Sequence, residues 1–128
     1  MTERIPPDCR HLCVGIPSES VSKALAAANE GRIIRISVNP EIVIFVGEKQ
    51  DYVIVPQNYC SCKDYLLNVV IRRRRRSCYH ILAYCIALRI GRVREIVTQE
   101  YGVKTLIVRE TITLGKSPTL RKLFEFQT

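Results

Sequence analysis

A chain of 128 residues that is 47% hydrophobic and 25% charged has the length of one domain, 1–128, and an ordinary globular composition, which excludes a largely disordered protein. No apolar run approaches the length of a membrane span. The formal net charge of +8 is concentrated: residues 60–94 carry nine cations and only Asp64 as an anion, while the rest has eleven of each sign. A basic excess confined to one segment points to an anionic partner and away from a uniformly cationic surface.

In chain order, residues 1–17 contain Pro6, Pro7 and Pro17 and read as irregular, with Cys9, His11 and Cys13 clustered among them. The opening residues lack the apolar stretch of a secretory signal, which predicts a cytoplasmic protein, or a nuclear one in a nucleated cell. Ser18 or Ser20 can cap a helix whose apolar residues Val21, Ala24, Leu25 and Ala28 share one face, with Gly31 as its stop. Three β-rich runs follow, 32–38, 41–46 and 51–55, separated by Asn39-Pro40 and by residues 47–50. Connections this short predict an antiparallel meander.

Pro56-Gln57-Asn58 then leads to a turn at Cys60-Ser61-Cys62. The apolar stretch 65–71 fits a short helix or a strand, and periodicity does not decide between them. Arg72, Arg73, Arg74, Arg75 and Arg76 must lie at the surface. Residues 78–90 are almost free of polar side chains and long enough for a buried helix ending at Gly91. Residues 92–101 read as a helical continuation, 103–114 as a strand rich in Val, Ile and Thr, and Ser117-Pro118 as the cap and first turn of a last short helix. A late apolar strand left on an edge would aggregate, so it is expected to pair within the sheet, with a partner, or across a homodimer. The fold class expected is α+β.

Cys60 and Cys62, then Cys78 and His80, form two tight pairs fifteen residues apart. Three thiols and an imidazole make a closed tetrahedral set for one Zn²⁺ per chain, and closed sites of this kind are structural. The alternative is that the cysteines are buried small hydrophobes and His80 a core histidine. Cys85, one turn beyond His80, reads as core and not as a fifth ligand. Cys9, His11 and Cys13 offer three ligands without an obvious fourth and read better as inert thiols than as a second metal cluster or a regulatory disulfide. Six cysteines without an export signal argue against a disulfide framework.

The pattern Cys60-Ser61-Cys62-Lys63-Asp64-Tyr65, an insert, then Cys78-Tyr79-His80-Ile81-Leu82-Ala83 resembles a SWIM zinc finger, whose hallmark is C-x-C…C-x-H with an acidic-aromatic pair after the first half and an apolar helix after the second. The resemblance covers about residues 32–90, with the zinc module at about 56–90 on supporting strands 32–55. With the preceding helix and the small size, the chain is similar to the SWIM subunits of Shu-type complexes. That resemblance implies a RecA-like recombinase paralogue as partner and a part in homologous recombination and repair. It also implies a structural role for Asp64, by hydrogen bonds to the turn or to a ligand, and a core position for Tyr65.

The arginine run is either a solvated loop or a phosphate-binding element, for which arginine suits better than lysine. If all five side chains neutralise phosphates, affinity for single-stranded or branched DNA falls with a log–log salt slope of about −3.5 on single strands. Tyr59, Tyr65 and Tyr79 lie close enough to serve as stacking groups. No Walker-type loop appears, and His80 is claimed by the metal, so the chain is expected not to be an enzyme. Other readings are a stand-alone DNA-binding regulator and a thiol redox or metal-handling protein. Fourteen arginines against six lysines, with fifteen isoleucines, point to a hot-living source.

Overall fold

A computed structural model describes residues 5–56, 59–96 and 101–126. The order of elements is a 3-10 segment Pro7–Cys13, α1 (Ser18–Asn29), β1 (Ile33–Val38), β2 (Glu41–Val46), β3 (Asp51–Val55), β4 (Tyr59–Cys60), a π-helical segment Tyr65–Ile71, α2 (Tyr79–Arg89), β5 (Arg94–Glu95), α3 (Tyr101–Leu114) and α4 (Pro118–Leu123). The protein is α+β, as expected. Its five strands are ordered β4-β3-β2-β1-β5, antiparallel throughout except for β5, which runs parallel to β1.

The strands are apolar on both faces because both faces are covered. Ile33, Val43, Phe45 and Ile54 point into a core shared with α1, α2 and the 3-10 segment, whereas Ile34, Ile36, Ile44, Val46 and Val53 point into a second core with α3 and α4. Alternation along each strand therefore sends successive residues to two different cores. Helix α1 buries Val21, Ala24, Ala27 and Ala28 and ends before Gly31, whose φ of 73° is open to glycine without steric cost. Its cap differs from expectation. Pro17 stands at the N-cap, Val21 N–H donates to Pro17 O, and Ser18 is already inside the first turn.

Three expectations are corrected. Residues 103–114 are helical, not a strand: Ile107 and Thr111 are buried, with Val103 and Val108 packed beside them, a helical spacing that β-branched composition concealed. The edge-strand argument for pairing or dimerisation at this segment falls with it. Residues 92–96 do not continue α2; Arg94 and Glu95 pair with Ile34 and Arg35 of β1, and 97–100 lie outside the described residues. Residues 7–13 form a 3-10 segment where irregular chain was expected.

Helix α4 begins as the sequence indicates, with Ser117 Oγ accepting from Leu120 N–H at 3.1 Å. It is fastened to the sheet by a buried ion pair. Arg121 donates to both oxygens of Asp51, at 2.5 and 3.1 Å, and to Gly47 O at 2.8 Å, while Ser117 N–H donates to Asp51 Oδ2 at 2.9 Å. On the other face of the sheet, Arg35 of β1 donates to Tyr84 Oη of α2 and to Glu41 and Glu95, and Tyr84 donates to Glu41. Burial, followed by the bond to Glu41, pushes the Tyr84 hydroxyl up to about 12. These polar ties fix α2 over the sheet, and α2 carries half of the site described next.

Candidate metal centre

Cys60 ends β4, Cys62 lies two residues beyond it, Cys78 is the N-cap of α2, and His80 is in its first turn. The fold brings both pairs to one point: the four ligand atoms lie within 4.8 Å of one another and all four residues are buried. Cys60 Sγ and His80 Nδ1 are 3.8 Å apart. Ligands about 2.0–2.3 Å from a tetrahedral ion such as zinc stand roughly 3.5–3.8 Å from each other, so the cluster can take an ion with a small contraction.

Electrostatics favour the same fit. A hydrogen bond from Cys60, then one from Cys78, holds the Cys62 thiol well below its ordinary range, and that Cys62 contact pushes Cys60 far up. For Cys78 the lowering effect of Cys60 is outweighed by Cys62 and by burial, leaving it at about 12. Three buried sulfurs so close together repel one another when ionised. Ionising all three requires a cation in their midst.

His80 is boxed by rings, with centroids 4.5 Å from Phe45, 4.2 Å from Tyr52 and 4.1 Å from Tyr79. Its Nδ1 faces Cys60, while Nε2 is buried without a hydrogen-bond partner among the described residues. The ring is therefore oriented by aromatic packing together with the Nδ1 contact to Cys60. Burial raises the hydroxyl pKa values of Tyr52, Tyr65 and Tyr79.

The residue between the first two cysteines has a role that spacing did not reveal. Ser61 N–H donates to Val53 O at 3.0 Å, and Ser61 Oγ accepts from Val53 N–H at 2.9 Å, so the C-x-C turn is stitched to β3. Tyr65 N–H donates to Cys62 Sγ at 3.3 Å, tying the next segment to a candidate ligand. A short polar residue between two ligands next to a strand was the only signal available in the sequence.

The insert is ordered by its own bonds as well. Asp64 Oδ1 accepts from Asn68 Nδ2 at 2.7 Å and from Arg75 Nη1 at 2.5 Å, and Asn68 O accepts from the N–H groups of Arg74 and Arg75. Asp64 thus organises the arginine turn. Arg72, Arg73, Arg74 and Arg76 are exposed and make no ion pair among the described residues, whereas Arg75 is half-buried against Asp64. Gly15 abuts this turn: a Cβ there would stand 2.7 Å from Arg74 O. The more distant cations are engaged elsewhere. Arg89 pairs with Asp8 at 3.3 Å, Arg92 donates to Asn29 O, and Arg94 donates to Gly31 O and lies over the rings of Phe124 and Phe126.

Of the three tyrosines considered for stacking, Tyr65 is buried, Tyr79 packs on His80, and Tyr59 is exposed, edge-on to Tyr65. Cys9 and Cys85 form a disulfide, with sulfurs 2.13 Å apart, so the expectation of an inert thiol fails for Cys9, while Cys85 packs against the core and stands outside the ligand group, as expected. No second cluster forms from Cys9, His11 and Cys13: His11 is exposed, and Cys13 is a free, half-buried thiol whose pKa burial raises. The 3-10 segment and α2 lie side by side, which no local spacing could reveal.

The class of protein defined by fold and site is thus an α+β protein with a buried Cys3His group able to hold a metal ion. No family model matches the chain, and neither the curated proteins nor the solved structures contain a significant match. No helix among the described residues is long and apolar enough to cross a membrane.

Proposed function

We propose that this protein is a zinc-stabilised, non-enzymatic accessory factor of SWIM type, binding DNA and a RecA-like recombinase paralogue in homologous recombination and repair. The observation that carries the reading is the burial of Cys60, Cys62, Cys78 and His80 together, on either side of an exposed arginine segment. Zinc is the metal suited to three thiolates and an imidazole in a closed tetrahedral set. Its part is to fix the two ends of the insert, so that the arginines are presented with a lower backbone ordering cost on binding.

DNA is favoured as the anionic partner by four exposed guanidinium groups that make no ion pair among the described residues. Because Arg75 is engaged by Asp64, the slope expected for single-stranded DNA is about −2.8, shallower than that for five free arginines. Recombination and the RecA-like partner rest on the resemblance of the Cys60–Tyr65 and Cys78–Ala83 patterns to SWIM fingers.

Two measurements test the reading. Salt titration of single-stranded DNA binding should give the stated slope, and changing Arg72, Arg73, Arg74 and Arg76 to serine should flatten it to near zero. Unchanged binding in that variant would make the run a solvated loop. Co-purification after nuclease digestion should retain a RecA-like ATPase; its absence would leave a DNA-binding regulator acting alone.

A further inference from the structure

The insert also carries an apolar surface, beside the arginines assigned to DNA. In the π-helical segment Tyr65–Ile71, Tyr65 and Val69 turn inward against the core around the cysteines, while Leu66, Leu67, Val70 and Ile71 turn outward and are 52%, 37%, 51% and 62% exposed. Four neighbouring aliphatic side chains on one short element form a patch of the kind that marks an interaction site. They adjoin the exposed Arg72, Arg73, Arg74 and Arg76. The segment is tied to the cysteine turn by the Tyr65 N–H to Cys62 Sγ bond and closes its last turn with Arg72 N–H donating to Leu67 O at 2.9 Å.

From this juxtaposition we infer that Leu66, Leu67, Val70 and Ile71 form the protein-docking face of the molecule, for a partner presenting an apolar surface bordered by carboxylates. The inference deepens the accessory-factor reading and rests on it only in requiring a protein partner. Charge selects the occupant. A two-fold dimer through this patch would gather two arginine runs into one interface, and their like charge disfavours a second copy. Nucleic acid bases stack on aromatic rings, and this face is aliphatic. A pre-shaped face bordered by cations instead complements an amphipathic acidic helix laid along it, with apolar anchors one turn apart.

The probe is a synthetic helical peptide with leucine on one face and glutamate elsewhere, compared with a scrambled peptide of the same composition by fluorescence anisotropy on the full, metal-loaded chain. The amphipathic peptide should bind at least ~10-fold tighter than the scrambled one. The variant L66S/V70S should erase that difference while keeping its metal content, its circular dichroism and its affinity for single-stranded DNA. Charge reversal in R72E/R76E should transfer the preference to a leucine–lysine peptide.

Equal binding of the two acidic peptides, or an L66S/V70S variant that binds like the parent, would overturn the inference. So would association with phosphatidylglycerol vesicles, or self-association at micromolar concentration, that depended on Leu66 and Val70; these would assign the face to lipid or to a second copy. DNA affinity is read separately, so loss of the DNA-binding reading would leave this result standing.

Discussion

Ser61 shows how much a single side chain between two ligands can contribute. Its hydroxyl accepts from Val53 N–H while its own N–H donates to Val53 O, so the turn bearing Cys60 and Cys62 is fixed to the sheet before any ion arrives. S61A leaves a strand N–H unsatisfied and should cost about 1–3 kcal/mol, read as a lower midpoint in urea with the metal content unchanged. Asp64 acts on the opposite side, accepting from Asn68 and Arg75. The sequence made the four ligands and the acidic position legible because their chemistry is local. It hid Ser61 and the Arg75 pairing, since each depends on a partner that only the folded chain supplies.

Among the elements, α3 and α4 show where propensity misleads. The stretch 103–114 is rich in β-branched residues, yet Val103, Ile107 and Thr111 fall on one helical face and close the second core. The α4 cap was legible because Ser-Pro is a local signal. The Arg121–Asp51 latch was not, because it joins residues 70 apart. Removing one partner, as in D51A, strands a buried guanidinium and should cost about 3–5 kcal/mol in chemical denaturation.

The same junction holds Glu110, which accepts from Ser117 Oγ at 2.7 Å, Thr119 Oγ1 at 3.0 Å and Thr119 N–H at 3.1 Å. Burial raises its pKa, but those bonds outweigh burial and hold the carboxyl below its ordinary value. A depressed carboxylate contributes stability that is fully present above its unfolded pKa and is lost as pH falls through the folded value. Stability should therefore decline on acidification below the ordinary glutamate range, and E110Q should show a smaller decline over that window. An equal decline in both would assign the acid sensitivity elsewhere.

At the scale of the whole molecule, ties among the described residues that hold the layers together include the Arg35–Glu41–Tyr84 cluster between the sheet and α2, the Arg121–Asp51 pair between α4 and the sheet, and the Cys9–Cys85 disulfide between the 3-10 segment and α2, with the Cys3His group joining β4 to α2. With its cysteines 76 positions apart in sequence, the disulfide should contribute about 4.5 kcal/mol through the unfolded chain. A non-chelating phosphine reductant, or C85S, should lower the thermal midpoint while leaving metal content unchanged. Spacing alone could not pair Cys9 with Cys85.

The claim on which the rest stands is that Cys60, Cys62, Cys78 and His80 hold one zinc ion that fixes the insert. Elemental analysis of the purified, dialysed full chain, alongside unfolding with and without a chelator, tests it most directly. The account predicts about one zinc per chain, its loss in C62S and H80A, and a marked fall in the unfolding midpoint on chelation. Metal-free protein that folds equally well, with Cys60, Cys62 and Cys78 open to thiol reagents once unfolded, would contradict it.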